Sequence, residues 1–252
     1  MSEPVRLTVH ASGAAEILID RPERHNAMTL AMYESLLAYI ARCEANSGVR
    51  CVLLRGAGGK SFISGTDIGY FRDFRDGRDG LAYEAFVERV IDTVERIAVP
   101  TIAVIDGWAV GGGLALATAC DFRVCTDASR FGAPIAKTLS NTLSSRNLAR
   151  LQAAFGTPRV KKMLMLADYL SADEALACGY VHEICAREAL EDAAHALAQR
   201  LIALSPVTQQ AVKESLRRIV IEQRLDDEDL IEAVYGSSRF REAVVAFSSS
   251  KT

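Results

Sequence analysis

The chain is poor in everything that marks a metal protein, a disulfide scaffold, a membrane protein or a nucleic-acid binder. Its four histidines, His10, His25, His182 and His195, stand apart with no ligand spacing, which predicts no metal site. Six cysteines, at 43, 51, 120, 125, 178 and 185, form no C-x-x-C pair and lie inside apolar stretches. They are expected as buried free thiols in a reducing cytoplasm. No run approaches the ~20 apolar residues of a membrane span, and no basic-then-apolar leader precedes the first strand pattern. A net charge of −3, from 29 basic and 32 acidic residues, gives no support to a nucleic-acid or anionic-membrane partner. What is present is ordinary globular composition, 50% apolar and 24% charged over 252 residues, enough for one core that buries roughly 70–75% of the unfolded surface.

Hydrophobic periodicity predicts an α/β fold. Residues 5–9 and 15–19 alternate as two strands joined at Ser12-Gly13, a hairpin pattern. From Thr29 to Ala45 the apolar positions recur at helical spacing, and 51–54 is a short, wholly apolar run, read as a buried strand. Residues 81–98 repeat the helix, Pro100 stops it, and 101–105 repeat the strand. Residues 122–125 and 181–184 supply further strands. Helices alternating with continuously apolar strands indicate a mainly parallel sheet, although no self-similar period is visible in the sequence. The charged stretch 72–79 is expected as a mobile surface loop. Ser171 with Glu174 forms a capping-box pattern, and Ser205-Pro206 announces a helix start. No strand pattern follows residue 184, so the division expected is 1–195 for the core and 196–252 for a helical region that packs on the core or on another subunit.

Two glycine-rich segments invite misreading. LLRGAGGKS, at 53–61, imitates a phosphate loop, but the first glycine of that motif falls on Leu54. Gly111-Gly112-Gly113 fails as a dinucleotide fingerprint because its third glycine falls on Leu116. A different chemistry remains for the glycines. They precede the helix-forming run 114–119 and let a ligand approach the unpaired first N–H groups of that helix. The segment 62–68 follows a strand and a loop and offers free N–H groups near Gly65 and Thr66. Two such donors converging on one oxygen stabilise an enolate or a tetrahedral oxyanion.

With those residues in view, the chain resembles the crotonase, or enoyl-CoA hydratase/isomerase, superfamily. The motifs that carry the resemblance are Asp20-Arg21-Pro22-Glu23-Arg24-His25-Asn26-Ala27-Met28, Phe62-Ile63-Ser64-Gly65-Thr66-Asp67-Ile68, Ile105-Asp106-Gly107-Trp108-Ala109-Val110-Gly111-Gly112-Gly113 with Cys120-Asp121, and Leu170-Ser171-Ala172-Asp173-Glu174-Ala175. The resemblance implies a spiral of ββα turns with a C-terminal helical oligomerisation region, assembled as a homotrimer or hexamer. It implies an acyl-CoA thioester as substrate, with coenzyme A brought by the substrate and no separate cofactor. The backbone N–H groups of Thr66 and Gly112 take the oxyanion positions. Arg24 matches the basic position near the CoA phosphates, Ala27 its neighbour in the binding strip, and Ser64, Gly65, Thr66, Asp67 and Ile68 the lining for adenine and pantetheine. Asp67 and Asp121 are expected to cap or hydrogen-bond structurally.

The chain departs from the hydratases where they place two glutamates. Ala115 and Ile135 stand at those positions, and neither can move a proton. Asn141 matches the position where related dehalogenases and naphthoate synthases carry a catalytic aspartate, and it can orient a water or donate to an enolate. Lys137 and Ser140 are weaker candidates in the same loop. Glu84 and Glu88, one helical turn apart, are expected on a solvated face. The resulting expectation is an acyl-CoA lyase or isomerase that stabilises an enolate but is not an ordinary hydratase, with a non-catalytic acyl-CoA-binding subunit as the alternative.

Overall fold

A computed structural model describes residues 3–249. The hairpin is β1 (Val5–Val9) against β2 (Ala14–Ile19), antiparallel. Helix α1 (Leu30–Ala45) starts at Thr29, whose hydroxyl accepts the Met32 N–H and so satisfies one orphan donor of the first turn. The chain then repeats one unit of two strands and a helix. The first is β3 (Cys51–Gly56), β4 (Ser61–Ile63) and α2 (Gly77–Glu95); the second β5 (Thr101–Ile105), β6 (Trp108–Val110) and α3 (Gly112–Ala119). The third is β7 (Phe122–Thr126), β8 (Arg130–Gly132) and α4 (Ser145–Met165). The first strand of each unit enters a six-stranded sheet, parallel after the hairpin, in the order β1-β2-β3-β5-β7-β10. The second enters a four-stranded sheet, β4-β6-β8-β9. Short β9 (Leu170–Ser171), α5 (Ala172–Ala177) and β10 (Glu183–Cys185) close the spiral, followed by α6 (Leu190–Ile202), α7 (Pro206–Arg217), α8 (Glu228–Tyr235) and α9 (Ser238–Ser249). The repeat is topological, carried by backbone geometry without a matching repeat of residues.

Burial on both faces explains the continuous apolar strands. Cys51 and Leu53 of β3, with Ile102 and Val104 of β5, pack under Leu190, Ala194, Leu197 and Leu201 of α6. The alternate residues Val52, Leu54, Ala103 and Ile105 face the main core with α1, α2 and α3. Helix α6 runs across residue 195, so the division expected at 195/196 falls inside a helix that belongs to the sheet. The apolar face of α6 sets this, and the helices beyond it begin at Pro206. Ser171, Glu174 and Ser205 cap as the sequence predicts.

Other expectations are corrected. Residues 72–79 are not a loop throughout: a short 3-10 helix covers Ile68–Asp73, and α2 begins at Gly77 behind a capping box of Asp76 and Asp79. Two of the charges that suggested a loop, Asp76 and Asp79, are helix-initiating groups. The strand expected at 181–184 begins at Glu183. All six cysteines are free, but Cys178 and Cys185 are half-buried, unlike the other four. Among the described residues no helix is long and apolar enough to cross a membrane.

Asn26 anchors the loop that leads to the cleft. It is fully buried, with φ 56° in the left-handed region that asparagine tolerates. Its Nδ2 donates to the carbonyls of Ala57 (2.9 Å) and Ser61 (2.7 Å), and its Oδ1 accepts the Arg21 N–H (2.9 Å). Asn26→Ala strands these groups in the interior and is expected to lower stability by about 2–3 kcal/mol, read as a fall in the urea midpoint.

Candidate active site

The bridge between Met28 and Thr66 sets the geometry of the cleft. Met28 N–H donates to the Gly65 carbonyl (2.8 Å) and Asp67 N–H to the Met28 carbonyl (2.9 Å). A parallel bridge that uses the groups of residues 65 and 67 turns the Thr66 N–H to the other edge. On that edge β6 ends and α3 begins, with Gly111 N–H donating to Gly132 (3.0 Å) and Gly112 contributing the first N–H of the helix. A Cβ built on Gly65 would lie 3.3 Å from the Gly112 nitrogen, and one built on Gly112 would lie 3.8 Å from the Thr66 nitrogen. Both nitrogens therefore border one small space. Gly113 permits the approach: a Cβ there would lie 1.9 Å from the Ile63 carbonyl oxygen, so α3 rests directly on the β4 backbone.

That space joins two cavities. The outer, about 500 Å³, is lined by Arg24, Ala27, Ser64, Thr66, Asp67 and Ile68, together with His25, Trp108 and Tyr169. The inner, about 270 Å³, is lined by Gly65, Thr66, Gly112, Tyr83, Glu84, Ala115, Ile135 and Asn141. Ser64, Thr66, Ile68, Val110 and Tyr169 belong to both. Arg24, Ala27, Ser64 to Ile68, Gly112 and Asn141 thus all line these two adjoining cavities. Lys137 and Ser140 line neither cavity and sit on an exposed loop. A larger cavity of about 610 Å³ lies beneath α7, away from both nitrogens.

The polar groups of the inner cavity have distinct roles. Thr66 Oγ1 sits between Tyr33 Oη (3.0 Å) and Tyr83 Oη (2.7 Å). Burial pushes the Tyr83 phenol up to about 12 and raises that of Tyr33 as well. Both stay protonated and hold the Thr66 strap in place. Glu84 is the carboxylate of this cavity. Desolvation raises its pKa, a hydrogen bond from Ser144 N–H (2.8 Å) opposes the shift, and the charge of Glu88 adds to it. Glu88 is spoken for: it accepts from Arg150 Nη1 (2.7 Å) and Ser144 Oγ (3.0 Å). Arg150, only 4% exposed, also binds Glu95 (2.9 Å). The solvated face expected for Glu84 and Glu88 is overturned, because α4 docks on it and its first residues and Arg150 seek these carboxylates. No local spacing announces that docking. Tyr33 and Tyr83 were missed as well, being indistinguishable in sequence from core residues of their helices.

The two aspartates act structurally. Asp67 accepts from Arg21 Nη1 (2.7 Å) and Gly69 N–H (2.9 Å), and the guanidinium holds its carboxyl below the usual range. Asp121 accepts from Thr101 N–H (2.7 Å), Thr101 Oγ1 (2.9 Å) and Lys213 Nζ (2.7 Å).

Comparison with known proteins places this arrangement. The sequence model of the enoyl-CoA hydratase/isomerase family matches residues 10–250. The chain is 30% identical over 204 residues to a short-chain-enoyl-CoA hydratase of Clostridium acetobutylicum, covering 81% of this chain and 77% of the relative. It is 31% identical to the (E)-benzylidenesuccinyl-CoA hydratase of Thauera aromatica, covering 84% and 81%. Its fold is similar to the crystal structure of an enoyl-CoA hydratase/carnithine racemase from Magnetospirillum magneticum, with TM-score 0.88, 29% identity and coverage of 99% and 94%. The match along nearly the whole sequence and the spiral of ββα units agree, and the chain belongs to the enoyl-CoA hydratase/isomerase family of the crotonase superfamily.

Proposed function

We propose that the protein is an acyl-CoA enzyme that holds the thioester oxygen between the N–H groups of Thr66 and Gly112 and moves a proton with Glu84. The observation that supports this reading is the close approach of the Gly65–Thr66 and Gly112 backbones beside the inner cavity. Coenzyme A comes with the substrate: its pantetheine runs along Ser64 to Ile68 past Ala27, with Arg24 at the phosphates. Two donors on the thioester oxygen favour the enolate over the neutral ester and so make the α-hydrogen acidic. Glu84 takes that proton and returns it at another carbon. Asn141, in the same cavity, donates to the enolate or holds a water.

One carboxylate is enough to relocate a double bond, whereas hydration needs an acid and a base acting together. Ala115 and Ile135 fill the positions where hydratases keep that pair, and both line the inner cavity. Isomerisation of a 3-enoyl thioester is therefore favoured over hydration. The same aliphatic pair favours a second reading, an acyl-CoA-binding subunit without chemistry. A panel of 2-enoyl, 3-enoyl, malonyl-type and aryl CoA thioesters, followed by mass spectrometry, separates them. Isomerised or enolate-derived product supports the enzyme, and tight binding with every thioester inert supports the binding subunit. Rapid hydration of a short 2-enoyl-CoA refutes the proton-transfer assignment. Exposed Leu225, Ile231, Tyr235 and Val244 in the C-terminal region are read as subunit contacts of a homotrimer or hexamer, and the free thiols as those of a cytoplasmic protein.

A further inference from the structure

Two histidines that stand far apart in the sequence meet on the α6 side of the large sheet, opposite the side on which α3 packs. His10 follows β1, Glu16 lies on β2, and His195 is carried by α6. Their imidazole rings are edge to face, with centroids 5.3 Å apart. One ligand atom from each of His10, Glu16 and His195 lies within 4.8 Å of the other two. We propose that these three side chains bind a single divalent transition-metal ion, with zinc as the expected occupant, and that the ion ties the β1–β2 hairpin to α6.

Three observations support the assignment. The Nε2 of His10 is buried and has no hydrogen-bond partner, an unusual state for a polar atom; an imidazole nitrogen with a lone pair is the commonest metal ligand in proteins. The surrounding charge suits a cation. Arg55 Nη1 lies 3.4 Å from Glu16 Oε2 and 3.6 Å from Glu191 Oε2, so two carboxylates surround one guanidinium. Glu191 precedes His195 by one helical turn. Arg55 also holds one oxygen of Glu16, the kind of outer contact that fixes a ligating carboxylate. The donor set, two imidazoles and one carboxylate, suits zinc and its neighbours better than magnesium or calcium, which take oxygen. Zinc ligands sit at about 2.0–2.2 Å from the ion, so in a tetrahedral site they lie roughly 3.3 Å apart. Side-chain rotation of half-buried residues on three separate elements supplies the closing movement.

The site is independent of the cleft, and its test needs no turnover. The full chain is stripped with chelator, then titrated with zinc chloride by calorimetry and followed by thermal melting. One equivalent is expected to bind and to raise the melting temperature, since an ion bound only by the folded state stabilises it. His10→Ala, Glu16→Gln and His195→Gln are each expected to weaken binding at least ~10-fold, while the melting temperature in chelator stays near that of the parent. With cobalt(II), the visible spectrum is expected to show ligand-field bands without a thiolate charge-transfer band. Absence of saturable zinc binding overturns the proposal. So does an affinity unchanged in the His10→Ala/His195→Gln double variant, or a thiolate band, which would assign the ion to the cysteines.

Discussion

Gly112→Ala keeps the backbone N–H but is expected to lower kcat/KM for a CoA thioester by ~10²–10³-fold, as much as losing one oxyanion donor, because its methyl group keeps the oxygen away, while the protein still folds. The new methyl group would lie 3.1 Å from Tyr33 Oη, 3.5 Å from Gly65 Cα and 3.8 Å from the Thr66 nitrogen. It therefore intrudes on the space bordered by the two nitrogens, where the proposed function puts the thioester oxygen. Its neighbours need to give by only a few tenths of an ångström, and Gly112 opens a helix, where alanine is well accommodated. Gly113→Ala is the informative contrast. There the methyl group meets the Ile63 carbonyl at 1.9 Å, and the backbones of α3 and β4 cannot both remain in place. The first variant should melt within a few degrees of the parent and the second should not accumulate as folded protein. A folded Gly112→Ala protein with parental turnover would remove the oxygen from between these two amides.

Glu84→Gln is expected to reduce kcat by ~10²–10⁴-fold, the range for a positioned general base, with little change in KM. The pH profile separates this from a structural role. Burial raises the Glu84 carboxyl above its ordinary 4.5, and a base must be ionised, so kcat/KM should fall as pH drops through that raised value. The acid limb then lies above the ordinary glutamate range and disappears in Glu84→Gln. Glu88→Gln disturbs the counterions of buried Arg150, so its melting temperature should fall while the acid limb remains. An acid limb that survives Glu84→Gln would move the proton transfer to another group.

Long elements were legible from pattern alone. The hairpin, α1, β3 and β5 are read correctly because each buries a recognisable period: alternation in β2, helical spacing in α1, an uninterrupted apolar run where both faces of the strand are covered. Of the smaller sheet, β4, β8 and β9 were not found. β4 and β8 each have three residues and β9 has two, too few for any period to show. Their pairing depends on the larger sheet having already set the spacing of successive units. The cleft followed the same rule: the glycine-bearing stretches that line it were foreseeable because glycine and a helix start are local properties.

Side chains that act across elements were not legible. Glu84 and Glu88 look solvated on a helical wheel, and only the docking of α4 takes them from water and gives Glu88 its arginine. His10 and His195 show no ligand spacing, yet the hairpin and α6 bring their rings together across the sheet. Residue order is enough to establish the class of fold, the family, and which backbone stretches can offer free N–H groups, because those follow from local conformation and short-range pattern. Which carboxylate loses its water, which phenols clamp Thr66, and which histidines meet were settled by packing between distant segments. Desolvation and hydrogen bonding depend on which groups become neighbours in space, and a linear spacing does not contain that information.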